Sequence, residues 1–242
     1  MSVYVMADLH LSLSVPGKSM EIFGKAWDHY QDRIKANWQA EVREDDTVVI
    51  PGDISWSNSL PSAKEDFLFL ESLPGIKYIG KGNHDFFWNT TTKLNRFLEE
   101  CGYRSIRILY NNAYSLNREQ IIICGTRGWF LDESAQKSVF ETDYEKIRQR
   151  ECIRLRLSLN EAKKLQEQSG YPILVFLHFP PVWQGRKSTE ILSLLEEYGI
   201  KDCYFGHMHQ VENPVIESVC NGIRMHFIAA DALNFHPYPV RI

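Results

Sequence analysis

Five short blocks of the 242-residue chain carry side chains able to bind metal ions: Asp8-Leu9-His10, Gly52-Asp53, Gly82-Asn83-His84-Asp85, His178 and Gly206-His207-Met208-His209. Imidazole, carboxylate and amide in one set suit manganese, iron, zinc or cobalt, whereas an all-oxygen set would suit magnesium or calcium. Asp8-x-His10 and His207-x-His209 each bring two ligands to the same side of a tight turn. Together the blocks offer more ligands than one ion takes. A carboxylate such as Asp53 can bridge two dications, and two-metal centres, with ions about 3.5 to 4 Å apart, stabilise the attacking and leaving oxygens of phosphoryl transfer.

Such distant blocks can meet only if the elements before them converge. Each block follows an apolar run rich in β-branched and aromatic residues: Val3 to Ala7, Thr47 to Ile50, Ile76 to Ile79, Ile173 to Leu177 and Cys203 to Phe205, which read as buried strands. In open α/β sheets the carboxyl ends of the strands open into a common crevice, so ligands there become neighbours. Phe23, Trp27, Tyr30, Ile34 and Trp38 recur at spacings of one helical face, and Phe67 to Leu73 and Lys93 to Glu100 also read as helices. The opening half is thus a β-α alternation that predicts a largely parallel sheet. From Ile106 onward, Ile106 to Leu109, Ala113 to Leu116 and Gln120 to Cys124 predict short antiparallel strands. Ser138 to Gln168 predicts one helix or two with a bend, and the charged segment from Asp132 to Gln168 lies either over the cleft as a cap or against the outside of the sheet. Val215 to Val219 and Met225 to Ala229 flank an Asn221-Gly222 turn. With no repeat or linker, residues 1–242 are expected to form a single domain.

Composition narrows the function. The chain has 27 basic and 31 acidic side chains, a net charge of −4, and 44% hydrophobic residues. That balance disfavours extended nucleic acid as a partner. No run reaches the roughly 18 apolar residues of a membrane span, and the N-terminus lacks a secretory pattern, so the expected location is the cytoplasm, with no membrane partner. Five cysteines without a CxxC pair argue against a disulfide framework or a zinc knuckle and read as buried small apolar residues.

The ordered blocks resemble those of the calcineurin-like metallophosphoesterases, over about 200 residues. The resemblance implies a four-layer α/β/β/α sandwich of two mixed sheets with a dinuclear site between them at the strand C-terminal ends. It implies that Asp8, His10, Asp53 and His209 hold one metal ion and Asp53, Asn83, His178 and His207 the other. The cofactors would be two divalent or mixed-valence ions, manganese, iron or zinc. His84 would be the catalytic histidine outside the ligand set, paired with Asp85. The implied activity is hydrolysis of a phosphomonoester or phosphodiester, a small phosphate-ester substrate attacked by metal-bound hydroxide. His84 would stabilise the transition state or protonate the leaving oxygen, with Asp85 fixing its tautomer. Ile54-Ser55-Trp56 replaces the acidic residue that more commonly follows Gly-Asp in the family. A nuclease or cyclic-nucleotide phosphodiesterase on the same fold, and a non-catalytic protein-binding scaffold, are the alternatives.

Other residues carry weaker signals. His29, His226 and His236 lie outside the blocks and read as structural. Trp56, Phe86-Phe87-Trp88, Trp129-Phe130 and Trp183 follow site-forming strands and could line the site, although packing between sheets is the expected use of such aromatics. Arg127, Arg186 and Lys187 could clamp phosphate but read first as surface charges, Arg127 being the best placed.

Overall fold

The computed structural model describes residues 1–129 and 141–241. Two sheets stack face to face. The first has strand order β13-β1-β2-β3-β4, in which β1 (Val3–Val5), β2 (Thr47–Ile50), β3 (Ile76–Ile79) and β4 (Ile106–Ile108) run parallel and β13 (Tyr238–Pro239) is an antiparallel edge. The second has order β11-β12-β10-β7-β6-β5. Its centre, β12 (Ile223–Phe227), β10 (Asp202–Phe205), β7 (Ile173–Leu177) and β6 (Ile121–Thr126), is parallel, and β11 (Glu217–Cys220) and β5 (Asn112–Leu116) are antiparallel edges. A short ribbon pairs β8 (Val182–Trp183) with β9 (Arg186–Lys187).

The period-two alternation of each strand sorts its side chains into layers. Val5, Val49, Ile123, Leu174, Phe176 and Tyr204 pack between the sheets, while their neighbours Val48, Ile50, Cys124, Val175 and Cys203 face outward onto helices. Helices α1 (Tyr30–Glu41), α2 (Lys64–Ser72) and α3 (Thr91–Cys101) cover the first sheet, and α4 (Glu141–Ser169) and α5 (Thr189–Glu197) the second. This is the expected α/β/β/α sandwich of two mixed sheets. Ala7 bridges Ala229, and Ala230 donates its N–H back to the Ala7 carbonyl, so the two sheets are tied together at their carboxyl ends.

Two expectations change in detail, and the others hold or are settled between their alternatives. The helical face expected from Phe23 begins only at Tyr30: Met20–Phe23 and Lys25–Trp27 form 3-10 turns, and His29, in the left-handed region, breaks the run. β4 is parallel to β3, not antiparallel, because α3 carries the chain back across the sheet before it. β5 and β6 pair antiparallel as expected. Of the 132–168 segment, residues 132–140 lie outside the described residues, as does Phe130; the remainder is one continuous helix, whose Leu155, Leu159 and Ala162 pack on the outer face of the second sheet. Asn221 and Gly222 both take positive φ in the β11–β12 hairpin, as a type I′ turn requires. All five cysteines are free thiols. Among the described residues no helix is long and apolar enough to cross a membrane.

Candidate metal centre

Every predicted ligand lies in a loop just beyond a parallel strand: Asp8 and His10 after β1, Asp53 after β2, Asn83 after β3, His178 after β7, and His207 and His209 after β10. Asp8, His10, Asp53 and His207 all have positive φ, between 46° and 73°, a conformation unusual for residues other than glycine and one that turns the side chains back toward the crevice. The loops touch one another. A Cβ on Gly82 would stand 2.0 Å from Asp53 Oδ1, and one on Gly206 2.1 Å from Asp8 Oδ2. Only glycine permits either approach.

The resulting geometry gathers ligand atoms into two groups. Asp8, His10 and His209 place one ligand atom each within 4.8 Å of the others, and so do Asp53, His178 and His207. His10 Nε2 and His209 Nε2 are 3.0 Å apart, and Asn83 Oδ1 is 2.6 Å from His178 Nε2. Asp53 Oδ2 lies 3.6 Å from His10 Nε2 in the first group and 3.5 Å from His178 Nε2 in the second. Asp8 Oδ1 and Asp53 Oδ2 are buried without hydrogen-bond partners, whereas the other oxygen of each is held by a backbone N–H, from His207 and His84 respectively. Unpaired buried carboxylate oxygens are costly unless a cation meets them.

The groups also oppose one another electrostatically. Burial, then Asp53, pushes the Asp8 carboxyl well above its usual range, and burial, then Asp85, does the same to Asp53. Burial and the neighbouring imidazoles push His10 and His178 well below the ordinary histidine value and His207 down to about 3. Neutral imidazoles beside converging carboxylates form a donor set fitted to dications.

His84 belongs to neither group but lies against both. Its ring is 4.4 Å from that of Trp56 and 5.6 Å from that of His10, and its Nδ1 is buried without a partner. The expected His84–Asp85 pair does not form. Asp85 is fully buried and accepts from the backbone N–H groups of Asp53, Ile54, Ser55 and Gly82, at 2.7 to 3.3 Å. Adjacent residues of an irregular loop point apart, so Asp85 ties the Asp53 and Asn83 loops together instead of orienting the imidazole.

Sequence reasoning missed Asp231. Its Oδ1 lies 3.0 Å from His209 Nδ1 and its Oδ2 accepts from Gln210 N–H at 2.8 Å, fixing the ring whose Nε2 faces His10. The available signal was its position four residues after β12, a sixth parallel strand ending at the same crevice. Trp56 packs against the first core as expected and also stacks on His10 with ring centroids 5.0 Å apart, and Trp27 packs edge-on to His10 and His209. Phe87, Trp88 and Trp183 pack in the cores as expected, while Phe86 is exposed. Arg127 turns to Glu151 at 3.5 Å and lies over the Trp129 and Phe179 rings; Arg186 and Lys187 are exposed on β9. His226 and His236 are structural, bonded to Asp202 at 2.9 Å and Glu41 at 2.5 Å, and His29 stands at the start of α1 in the left-handed region without a side-chain capping bond.

A two-sheet sandwich with imidazole and carboxylate groups at its strand ends is the layout of the metallo-dependent phosphatases as a class. The family model for calcineurin-like phosphoesterases matches residues 1–211, and the chain belongs to that family. No curated protein matches the sequence. Similar solved structures include the phosphopantetheinyl hydrolase of Mycobacterium tuberculosis, at 12% identity and TM-score 0.60, covering 99% of this chain and 95% of that one. A protein of unknown function from Aquifex aeolicus has 13% identity and TM-score 0.53, covering 98% and 95%, and a Thermus thermophilus protein 11% and 0.56, covering 95% and 89%. At such identities the likeness is one of fold.

Proposed function

We propose that the protein is a metal-dependent phosphohydrolase acting on a small phosphate monoester or diester. Asp8, His10, Asp53 and His209 would hold one ion, and Asp53, Asn83, His178 and His207 a second. The observation that carries this reading is Asp53 Oδ2, buried and unpartnered, at almost equal distance from an imidazole nitrogen of each group. Two dications there would lower the pKa of an attacking water and neutralise charge on the phosphoryl oxygens. The chain's own residues do the rest. His84, whose backbone N–H holds Asp53 Oδ1 at 2.8 Å, keeps its ring beside the centre as hydrogen-bond donor to the leaving oxygen. Asp85 and Asp231 are positioning residues, the first locking two loops and the second one ligand ring.

The test is elemental analysis of purified protein together with hydrolysis of mono- and bis-(p-nitrophenyl) phosphate after loading with manganese, zinc, iron or magnesium. Hydrolysis of at least one ester, lost in Asn83→Ala and reduced in His84→Ala, is the expected result. Inactivity on both esters, or variants indistinguishable from wild type, would refute the proposal.

A further inference from the structure

Beside the candidate centre opens a cavity of 320 Å³. His10, His84 and His209 form the side toward the ligand groups, Met20, Phe23 and Trp56 supply apolar walls, and Gln210, whose side-chain amide N–H is taken by the Phe23 carbonyl, completes the lining. Among the described residues no arginine or lysine lines it. Such a space gives no counter-charge to a second phosphate or carboxylate, and its walls offer little to the hydroxyls of a sugar. It does suit an apolar ring, in a volume near the lower end of the roughly 300–1,000 Å³ of small-molecule pockets.

The walls are held in place by the loops that carry the candidate ligands. Gln210 Nε2 donates to the Phe23 carbonyl at 2.9 Å, while Gln210 N–H is bound to Asp231, the residue that orients His209. Trp56 N–H donates to the Leu11 carbonyl at 2.9 Å, next to His10, and its indole stacks on that imidazole. Phe23 is nevertheless 51% exposed, a large apolar ring kept at the cavity mouth instead of being buried. Position completes the argument, because His84 lines this cavity and not merely the centre. A group attached to the oxygen that His84 meets must therefore extend between Met20, Phe23 and Trp56.

We infer that this cavity receives the ester group of the substrate and that the group is apolar and aromatic in size, one or two rings. The inference rests on the phosphohydrolase reading above. In the reaction, the bond from phosphorus to this group's oxygen breaks as water supplies a new oxygen to phosphorus. The departing oxygen accepts the hydrogen bond of His84 and takes up the proton that the attacking water releases, so that one P–O bond forms as one breaks.

Two phosphonates that cannot be hydrolysed, methylphosphonate and 1-naphthylmethylphosphonate, are titrated into manganese-loaded protein, beside turnover of methyl and 1-naphthyl phosphate. The naphthyl probe is expected to bind about tenfold tighter or more, and Phe23→Ala, at an exposed position the fold does not need, to cut the naphthyl-to-methyl ratio about fivefold. Equal binding of the two probes, a ratio unmoved by Phe23→Ala, or binding of neither overturns the inference. If the probes behave as expected and no ester is hydrolysed, the functional reading fails while the cavity's selectivity stands. If both esters turn over without discrimination and the probes bind alike, the cavity inference alone fails.

Discussion

Asp231→Asn removes a charge while keeping the shape of a side chain that makes two hydrogen bonds, and the geometry shows why one amide cannot replace it. The carboxylate faces His209 Nδ1 at 3.0 Å and Gln210 N–H at 2.8 Å. Both are acceptor roles, since His209 must carry its proton on Nδ1 if Nε2 is to offer a lone pair toward His10. An asparagine has one acceptor and one donor. With its oxygen toward His209, its NH2 opposes the Gln210 N–H, and a charge-assisted bond worth about 1.5–3 kcal/mol is lost. With the amide flipped, it donates to Nδ1 and moves the histidine proton to Nε2, the atom that would meet the metal. Either arrangement should weaken metal binding by about 10- to 100-fold, the range typical for removing the partner of a ligating histidine, or about 1.4–2.7 kcal/mol. Manganese affinity measured by calorimetry well below the melting temperature is the assay, because a purely structural role would leave it unmoved there. An affinity within twofold of wild type would refute the assignment of Asp231 as a positioning residue.

Two further substitutions test the loops and the core. Gly82→Ala puts a methyl 2.0 Å from Asp53 Oδ1 and 2.3 Å from Asp53 N, so Asp53 must move; destabilisation of about 1–3 kcal/mol with loss of metal binding is expected, and normal manganese stoichiometry would contradict it. Lys77 is fully buried with Nζ on the Leu73 carbonyl at 2.6 Å, and burial lowers its pKa from 10.5 to about 8. The unfolded chain therefore binds more protons between those values, so this residue makes stability rise with pH across about 8 to 10.5. Below that window it costs about 3 kcal/mol, from 1.36 kcal/mol per pKa unit, less about 1 kcal/mol for its hydrogen bond. Lys77→Met should then be more stable than wild type at pH 7, with the advantage shrinking toward pH 10.5. A difference in denaturation midpoint that does not change with pH would count against it.

The strands and the ligand blocks were readable because each rests on local pattern: a β-branched run fixes a strand, and a strand end fixes where its ligand sits; the two-sheet sandwich was expected from the family resemblance alone. What escaped the reading depends on contacts across the chain or on single backbone angles. The spacing of Phe23, Trp27 and Tyr30 is helical, yet one left-handed residue, His29, breaks the helix, and the freed Phe23 reaches the site instead of the core. Asp85 sits next to His84 in sequence, but four backbone N–H groups from two segments claim its carboxylate. Asp231 carries no motif of its own, and its role exists only because β12 ends beside β10.

The way the site is held bears on what metal removal will do. Four of the predicted ligand residues sit at positive φ, a conformation that costs of order 1–3 kcal/mol for each and persists only where the surroundings enforce it. Here the enforcement is protein alone: Asp8 N–H on Gly52 O at 3.0 Å, His10 N–H on Asp53 O at 2.9 Å, His207 N–H on Asp8 Oδ2 at 2.8 Å, and the four donors to Asp85. The cores above and below the sheets likewise close without any ligand residue. The loops should therefore stay in place when metal is withdrawn, unlike a zinc finger, whose fold is its metal binding. A chelated sample should keep its far-ultraviolet circular dichroism and melt cooperatively, at a lower temperature by the linkage of bound metal, about 2.7 kcal/mol at a hundredfold excess over Kd. Loss of secondary structure on chelation would mean that the metals build the site, and the preorganisation argued from these hydrogen bonds would be wrong.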